Sequence, residues 1–251
     1  MPVRLVAIGD STVEGLEDPG PDGVYIGWAD RFAAHLNVIH PGLLYANLAV
    51  RGQTSREVRQ RQLRPALALV PDFAVVVAGV NDILRPKLDR EALRDDLFAM
   101  HAELAAAGAQ VLTFTMPDMA RVAPLAVVLR PRLQYLNSLT LACRKSYGSI
   151  VVDLASVPAA SHPALWHTDR LHGNTEGHRR IAAALAEAVG YKVQDWRTEP
   201  PPVPRSSPVR VALGEVAWAG SHLLPWAWEH ARGQSSGEGA TCKRPHLLPV
   251  S

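Results

Sequence analysis

The chain has little of what several specialised protein classes require. Among its 251 residues there are two cysteines, Cys143 and Cys242. They lie far apart and match no zinc-site or redox spacing, so two free thiols in a reducing compartment are expected rather than a disulfide framework. Lysine and arginine number 26 against 24 acidic residues, a net charge of +2. That balance gives no electrostatic footprint for nucleic acid. No uninterrupted apolar stretch of about 18 residues occurs, which argues against a membrane-spanning helix. No basic segment followed by an apolar run and a cleavage site precedes the first strand, so a cytoplasmic location is expected. No cluster of residues has metal-ligand spacing, and neither a metal nor another cofactor is expected. There is no internal repeat.

What is present is an ordinary soluble composition, 47% hydrophobic and 20% charged, in a chain long enough to bury one sizeable core. Short apolar runs at Val3–Ile8, Leu43–Leu48, Phe73–Ala78, Gln110–Thr115 and Ser149–Leu154 read as strands. Helical spacing falls between them, at Trp28–Leu36, Arg56–Val70 with a possible kink at Pro65, Arg90–Ala107, Leu129–Tyr147 and Thr175–Val189. Five strands alternating with helices predict a three-layer α/β/α domain over residues 1–197, built on a five-stranded parallel sheet.

A run of prolines at 200, 201, 202, 204 and 208 then marks an extended linker, residues 198–211. Residues 212–251 read as a partly flexible helical tail. Leu213, Val216, Gly220, Leu223 and Ala227 form a stripe that Pro225 should kink or end, and Trp218, Trp226 and Trp228 lie in the same region. Docking of this helix back on the core is the favoured reading, with a membrane-surface or partner-binding segment as the alternative. Residues 233–251 look poorly structured.

In an open α/β sheet, ligands bind beyond the carboxyl ends of the strands, and the polar residues at those ends form an ordered set. Ser11 follows the first strand. A serine there is commonly a helix cap, and it becomes a nucleophile only with a base, an orienter for that base and donors for an oxyanion. Gly52 follows the second strand and could expose its backbone N–H toward the serine. Asn81 follows the third, where it is either a turn residue or a side-chain donor to an oxyanion. After the fifth come Asp169 and His172, close enough for one short loop to present a carboxylate to an imidazole. Asp153 is the rival orienter, and His162, His167 and His178 are the neighbouring histidines.

This set resembles the GDSL esterase/lipase family, or SGNH hydrolases. Gly9-Asp10-Ser11, Gly52, Gly79-Val80-Asn81-Asp82 and Asp169-Arg170-Leu171-His172 match its four blocks in order, across about residues 3–190. The resemblance implies a flavodoxin-like sheet, with Ser11 as nucleophile, His172 as base and Asp169 as its orienter. The oxyanion hole it implies consists of the Ser11 and Gly52 N–H groups and the Asn81 side chain. The implied activity is hydrolysis of small-molecule carboxylic esters through an acyl-enzyme, and with no thick apolar lid visible in the sequence, short acyl chains are favoured over long-chain lipids. After Ser11 the family often continues with Leu or a similar residue, whereas Thr12-Val13-Glu14 stands here, a departure that bears on substrate.

Acyl transfer or carbohydrate deacetylation on the same site, and a non-catalytic binding module using the tryptophan-bearing tail, are the alternatives. Nucleotide-binding and nucleophile-elbow readings fit poorly, because neither a Gly-x-Gly-x-x-Gly nor a Walker loop follows the first strand and Val13 stands where Gly-x-Ser-x-Gly needs its second glycine. From fold position alone, Tyr25, Trp28, Val80, Ile83, Leu84, Met116 and Met119 are the candidate walls of the substrate pocket.

Overall fold

The computed structural model describes residues 1–202, 214, 216–218, 220–221, 237 and 239–250. Five strands, β1 (Arg4–Gly9), β2 (Leu44–Asn47), β3 (Phe73–Val77), β4 (Gln110–Phe114) and β5 (Ile150–Val152), pair in parallel in the spatial order β5-β4-β3-β1-β2. The central strand β1 sets Val6 beside Ala46 on one side and Ala74 on the other. The helices are α1 (Ser11–Glu14), α2 (Gly27–Ile39), α3 (Ser55–Val58), α4 (Arg64–Ala68), α5 (Val80–Leu84), α6 (Arg90–Ala106), α7 (Arg130–Tyr147) and α8 (Thr175–Ala188).

Successive side chains of a strand point to opposite faces, and β1 is apolar on both. Leu5 and Ala7 pack with Trp28, Phe32 and Leu36 of α2 and with Ala182 and Leu185 of α8. Val6 and Ile8 pack with Leu63 and Ala66, and with Leu93, Leu97 and Met100 of α6 and Leu136 of α7. The continuous apolar runs of the sequence are therefore strands covered by helices on both sides. Between α3 and α4 the chain takes a π-helical turn, Arg59–Leu63. Pro65 follows it, and its ring nitrogen has no hydrogen to give the carbonyl four residues earlier.

The sheet has six strands, one of them antiparallel, where five parallel strands alone were expected. A sixth strand, β6 (Arg244–Pro249), pairs antiparallel with the outer edge of β2, placing Tyr45 opposite Leu248 and Leu44 opposite Pro249. The expectation of poor structure across 233–251 is corrected for these residues. Pro245 and Pro249 argue against an ordinary strand, yet an edge strand tolerates residues that lack an N–H. Arg244 supplies what they cannot: its Nε donates to the Tyr45 carbonyl at 2.8 Å and its guanidinium lies 5.3 Å from the Tyr45 ring centroid.

Most of the expected linker and of the expected tail helix, with Leu213, Leu223, Pro225, Trp226, Ala227 and Trp228, lies outside the described residues. Residues 216–218 are helical. Both cysteines are free, Cys143 buried and Cys242 half-buried. Among the described residues no helix is long and apolar enough to cross a membrane.

Candidate active site

The site begins where β1 ends. Gly9 has φ +157°, and a Cβ there would stand 2.2 Å from the Val77 carbonyl oxygen on β3 and 2.4 Å from a Val13 methyl. Only glycine lets the chain turn at that point. Gln62, 3% exposed on the π-helical turn, holds the same residue: its Oε1 accepts the Gly9 N–H at 2.8 Å and its Nε2 donates to the Gly9 carbonyl at 2.8 Å. The cap of α1 is Asp10, whose Oδ1 accepts the Thr12 N–H at 3.0 Å. With Asp10 as cap, the Ser11 hydroxyl is not needed for that purpose.

The Ser11 Oγ instead lies 2.8 Å from His172 Nε2, and His172 Nδ1 lies 2.6 Å from Asp169 Oδ2. Asp169 Oδ1 accepts the N–H groups of Leu171 and His172, at 2.9 and 3.1 Å. Burial works to raise the Asp169 carboxyl. The hydrogen bond and charge of His172 with the two amides outweigh it and hold the group at about 2. Asp169 is thus an anion over the working range of an imidazole. It orients Nδ1–H and leaves Nε2 facing the serine. The tight loop between them requires φ +61° at Arg170.

Gly52 has φ +73°, the left-handed backbone that glycine takes without strain. Among the described residues no acceptor engages the backbone N–H of Ser11 or of Gly52. The Asn81 amide is 9% exposed and donates to the Gln53 carbonyl at 2.9 Å, while its contact with Asp10 Oδ2 is long, at 3.4 Å. The short bond orients the amide, and the long one leaves a proton that a better acceptor can take. Two part-buried links tie these loops together. Ser55 donates its N–H and its hydroxyl to Asp82, both at 2.8 Å, joining the loop after β2 to the one after β3. Glu14 accepts the Arg51 N–H at 2.8 Å and pairs with its guanidinium, fixing the residue before Gly52.

The side chains of the rival residues have other partners than Ser11 and His172. Asp153 accepts the Thr115 hydroxyl at 2.6 Å. His162 Nδ1 accepts the Ala164 N–H. His178 is 2% exposed, accepts the Trp28 N–H through Nδ1 at 3.0 Å and bonds the Leu16 carbonyl through Nε2 at 2.9 Å. Burial drives its pKa down to about 4, so it is a neutral structural bridge. His167 sits 3.3 Å from Glu17 and 3.7 Å from Asp169. The ligand-type atoms of Glu17, His167 and Asp169 lie within 4.8 Å of one another, a grouping no sequence spacing reveals. Both Asp169 oxygens are already engaged by the imidazole and two amides, so the trio reads as part of the setting of Asp169.

Beside His172 an apolar cavity of about 70 Å³ opens between the ends of β4 and β5 and the start of α8, walled by Phe114, Met116, Met119, Leu154, Leu165 and Leu171. Val80 and Thr12 also line it. Of the expected pocket residues the structure therefore brings Val80, Met116 and Met119 to the cavity. Trp28, Ile83, Tyr25 and Leu84 do not line it. Trp28 is fully buried behind the wall, edge-on to Phe114 with centroids 5.2 Å apart. Ile83 is 1% exposed in the core beneath α6. Tyr25 lies over Arg51, 5.6 Å from its guanidinium. Position at a strand end did not separate residues facing the sheet from those facing the site.

Sequence reasoning missed Gln62, Glu14, Arg51 and Trp218. A glutamine on a predicted helix and a Glu–Arg pair 37 residues apart carry no local signal. Trp218 donates its indole N–H to the Asp169 carbonyl at 2.9 Å.

The sequence pattern of the GDSL-like lipase/acylhydrolase family matches residues 7–180, which contain Ser11, Gly52, Asn81, Asp169 and His172. No curated protein matches the chain. Among solved structures it is similar to LAE5, an alpha/beta hydrolase enzyme from the metagenome of Lake Arreo, Spain. The two are 24% identical over 76% of this chain and 97% of that one, with a TM-score of 0.63. It is similar also to Axe2, an acetylxylan esterase from Geobacillus stearothermophilus, at 19% identity, 78% and 96% coverage and a TM-score of 0.64. A third similar structure is TesA, at 21% identity, 74% and 98% coverage and a TM-score of 0.61. At these identities the likeness is one of fold.

Proposed function

Because the chain belongs to the GDSL-like lipase/acylhydrolase family, and is thereby a serine-type carboxylic ester hydrolase, we propose that it cleaves short-chain acyl esters through Ser11, His172 and Asp169. The observation that carries this reading is the unbroken line from Ser11 Oγ through the imidazole to Asp169, with bonds of 2.8 and 2.6 Å, beside an apolar cavity. A cavity of about 70 Å³ is room for several water-sized groups, at roughly 10–15 Å³ each. That suits an acyl chain of a few carbons better than a long lipid tail.

In this reading Ser11 Oγ attacks the ester carbonyl carbon while His172 Nε2 takes its proton. Asp169 stabilises the imidazolium that forms and keeps its ring in place. The carbonyl oxygen becomes an oxyanion, met by the N–H groups of Ser11 and Gly52 and by the Asn81 amide. Collapse breaks the bond to the alcohol, which leaves with the proton from His172. A water deprotonated by the same imidazole attacks the acyl-serine, releases the carboxylic acid and restores the hydroxyl.

The test is intact mass after exposure to a fluorophosphonate, with p-nitrophenyl ester hydrolysis measured alongside. The wild type should gain one adduct and turn over esters, and Ser11→Ala should do neither. A folded Ser11→Ala variant that still hydrolyses p-nitrophenyl butyrate removes Ser11 from the mechanism.

A further inference from the structure

The residue between the acid and the base is held in a conformation that L side chains resist. Arg170 has φ +61°, and such residues persist when their surroundings over-determine them. Part of that hold is local: Arg170 N–H donates to the His167 carbonyl at 3.0 Å, and His167 N–H to the His172 carbonyl at 2.9 Å. A further hold comes from far along the chain. Trp218, 9% exposed, bonds the Asp169 carbonyl at 2.9 Å and sets its ring 5.1 Å from the Arg170 guanidinium. It grips the peptide on one side of the strained residue and the side chain on the other. Trp218 lies beyond residues 7–180, the span matched by the family.

From this we infer that Trp218 is a positioning residue for the triad, supplied by the C-terminal segment. The carbonyl it holds belongs to the residue whose carboxylate orients His172, so a shift of that peptide carries Asp169 Oδ2 away from Nδ1. A displacement of this kind slows the chemical step and leaves ester binding in the cavity unchanged, because Trp218 does not line the cavity. The inference rests on the triad proposed above.

The experiment compares Trp218→Phe, which keeps a ring over Arg170 and removes the N–H, with Trp218→Leu, which removes both. The kcat and KM for p-nitrophenyl butyrate are measured in the wild-type and Asp169→Asn backgrounds, with melting curves and a Ser11→Ala control. Loss of one neutral hydrogen bond is expected to lower kcat about 3–10-fold in Trp218→Phe, and more in Trp218→Leu, with KM unchanged. In the Asp169→Asn background the Phe substitution should change kcat less than about twofold, because the group it acts through has gone. Wild-type kcat in Trp218→Phe overturns the inference, as does an equal loss in both backgrounds. So does the loss of cooperative melting in both variants, which makes Trp218 a support of the fold alone. A folded, active Ser11→Ala overturns the triad itself, and the inference with it, whatever Trp218 does.

Discussion

Gln62 and Gly9 are bonded to each other twice. The glutamine amide accepts the glycine N–H and donates to the glycine carbonyl, both at 2.8 Å, and its Nε2 also reaches Gln53 Oε1 at 2.8 Å. One buried side chain from a π-helical turn thus fixes the end of the central strand two residues before the nucleophile. Gln62→Ala leaves a buried N–H and a buried carbonyl without partners. It should lower unfolding stability by about 2–3 kcal/mol, read as the urea midpoint, and lower kcat through the displaced Ser11. A midpoint within error of the wild type would mean that water replaces the amide.

Asn81 supplies the side-chain donor of the proposed oxyanion hole. Asn81→Ala should reduce kcat on the order of 10²–10³-fold with KM little changed, and should lower stability by about 1–3 kcal/mol because the Gln53 carbonyl loses its donor. Steady-state kinetics on p-nitrophenyl butyrate check this. A loss below about fivefold assigns the oxyanion to the two backbone donors alone.

Asp10 caps α1 from a fully buried position, and burial raises its carboxyl from 3.8 to about 6, against the opposing pull of its bonds to Thr12. A carboxyl raised on folding binds its proton more tightly in the native state, so its ionisation costs stability as pH rises from about 4 to about 6. A shift of about two units corresponds to about 3 kcal/mol. Asp10→Asn keeps an oxygen for the Thr12 N–H and has no charge to bury. It should be more stable than the wild type above pH 6, with the difference vanishing below pH 4. Denaturation curves at pH 4 and pH 7.5 check the sign.

Met119 and Ala160 both line the apolar cavity. Met119→Ala should move the chain-length optimum of p-nitrophenyl esters upward, and Ala160→Leu should move it toward acetate. Each added methylene that finds apolar cover is worth about 0.8 kcal/mol, roughly fourfold in kcat/KM. Ile83→Ala should leave the profile where it was while lowering stability, since Ile83 packs in the core. A shifted profile in Ile83→Ala would place the acyl group on the other side of β3.

Lys243 donates to the carbonyls of Tyr25 and Ile26, at 2.9 and 2.7 Å, and pairs with Asp30. It joins the loop beside Ser11 to the start of β6. Burial pushes the Asp30 carboxyl up and the Lys243 ammonium down, so each is a charge held by the other. Lys243→Met should cost about 2–3 kcal/mol by stranding Asp30, and adding Asp30→Asn should return part of the loss. No recovery in the double variant would assign the cost to the two carbonyls instead.

The amino-acid pattern makes the alternation of strands and helices legible, because an apolar run of five or six residues has few other places to go than a sheet covered on both faces. It determined Ser11, Gly52, Asn81, Asp169 and His172 as the candidate set, because strand ends in such a sheet converge on one edge and polar residues gather there. It could also expect Asp169 to serve His172, since three residues of loop keep the two within reach. Tertiary structure alone decided what depends on packing between distant segments. Pro245 and Pro249 become a strand only because the edge of β2 is open to them. Trp28 and Ile83 face the core rather than the cavity through the rotation of their helices. Gln62 reaches Gly9, and Trp218 reaches Asp169, across gaps of 53 and 49 residues. Local pattern reports the shape a segment prefers, whereas a contact of that length exists only once the whole core has closed.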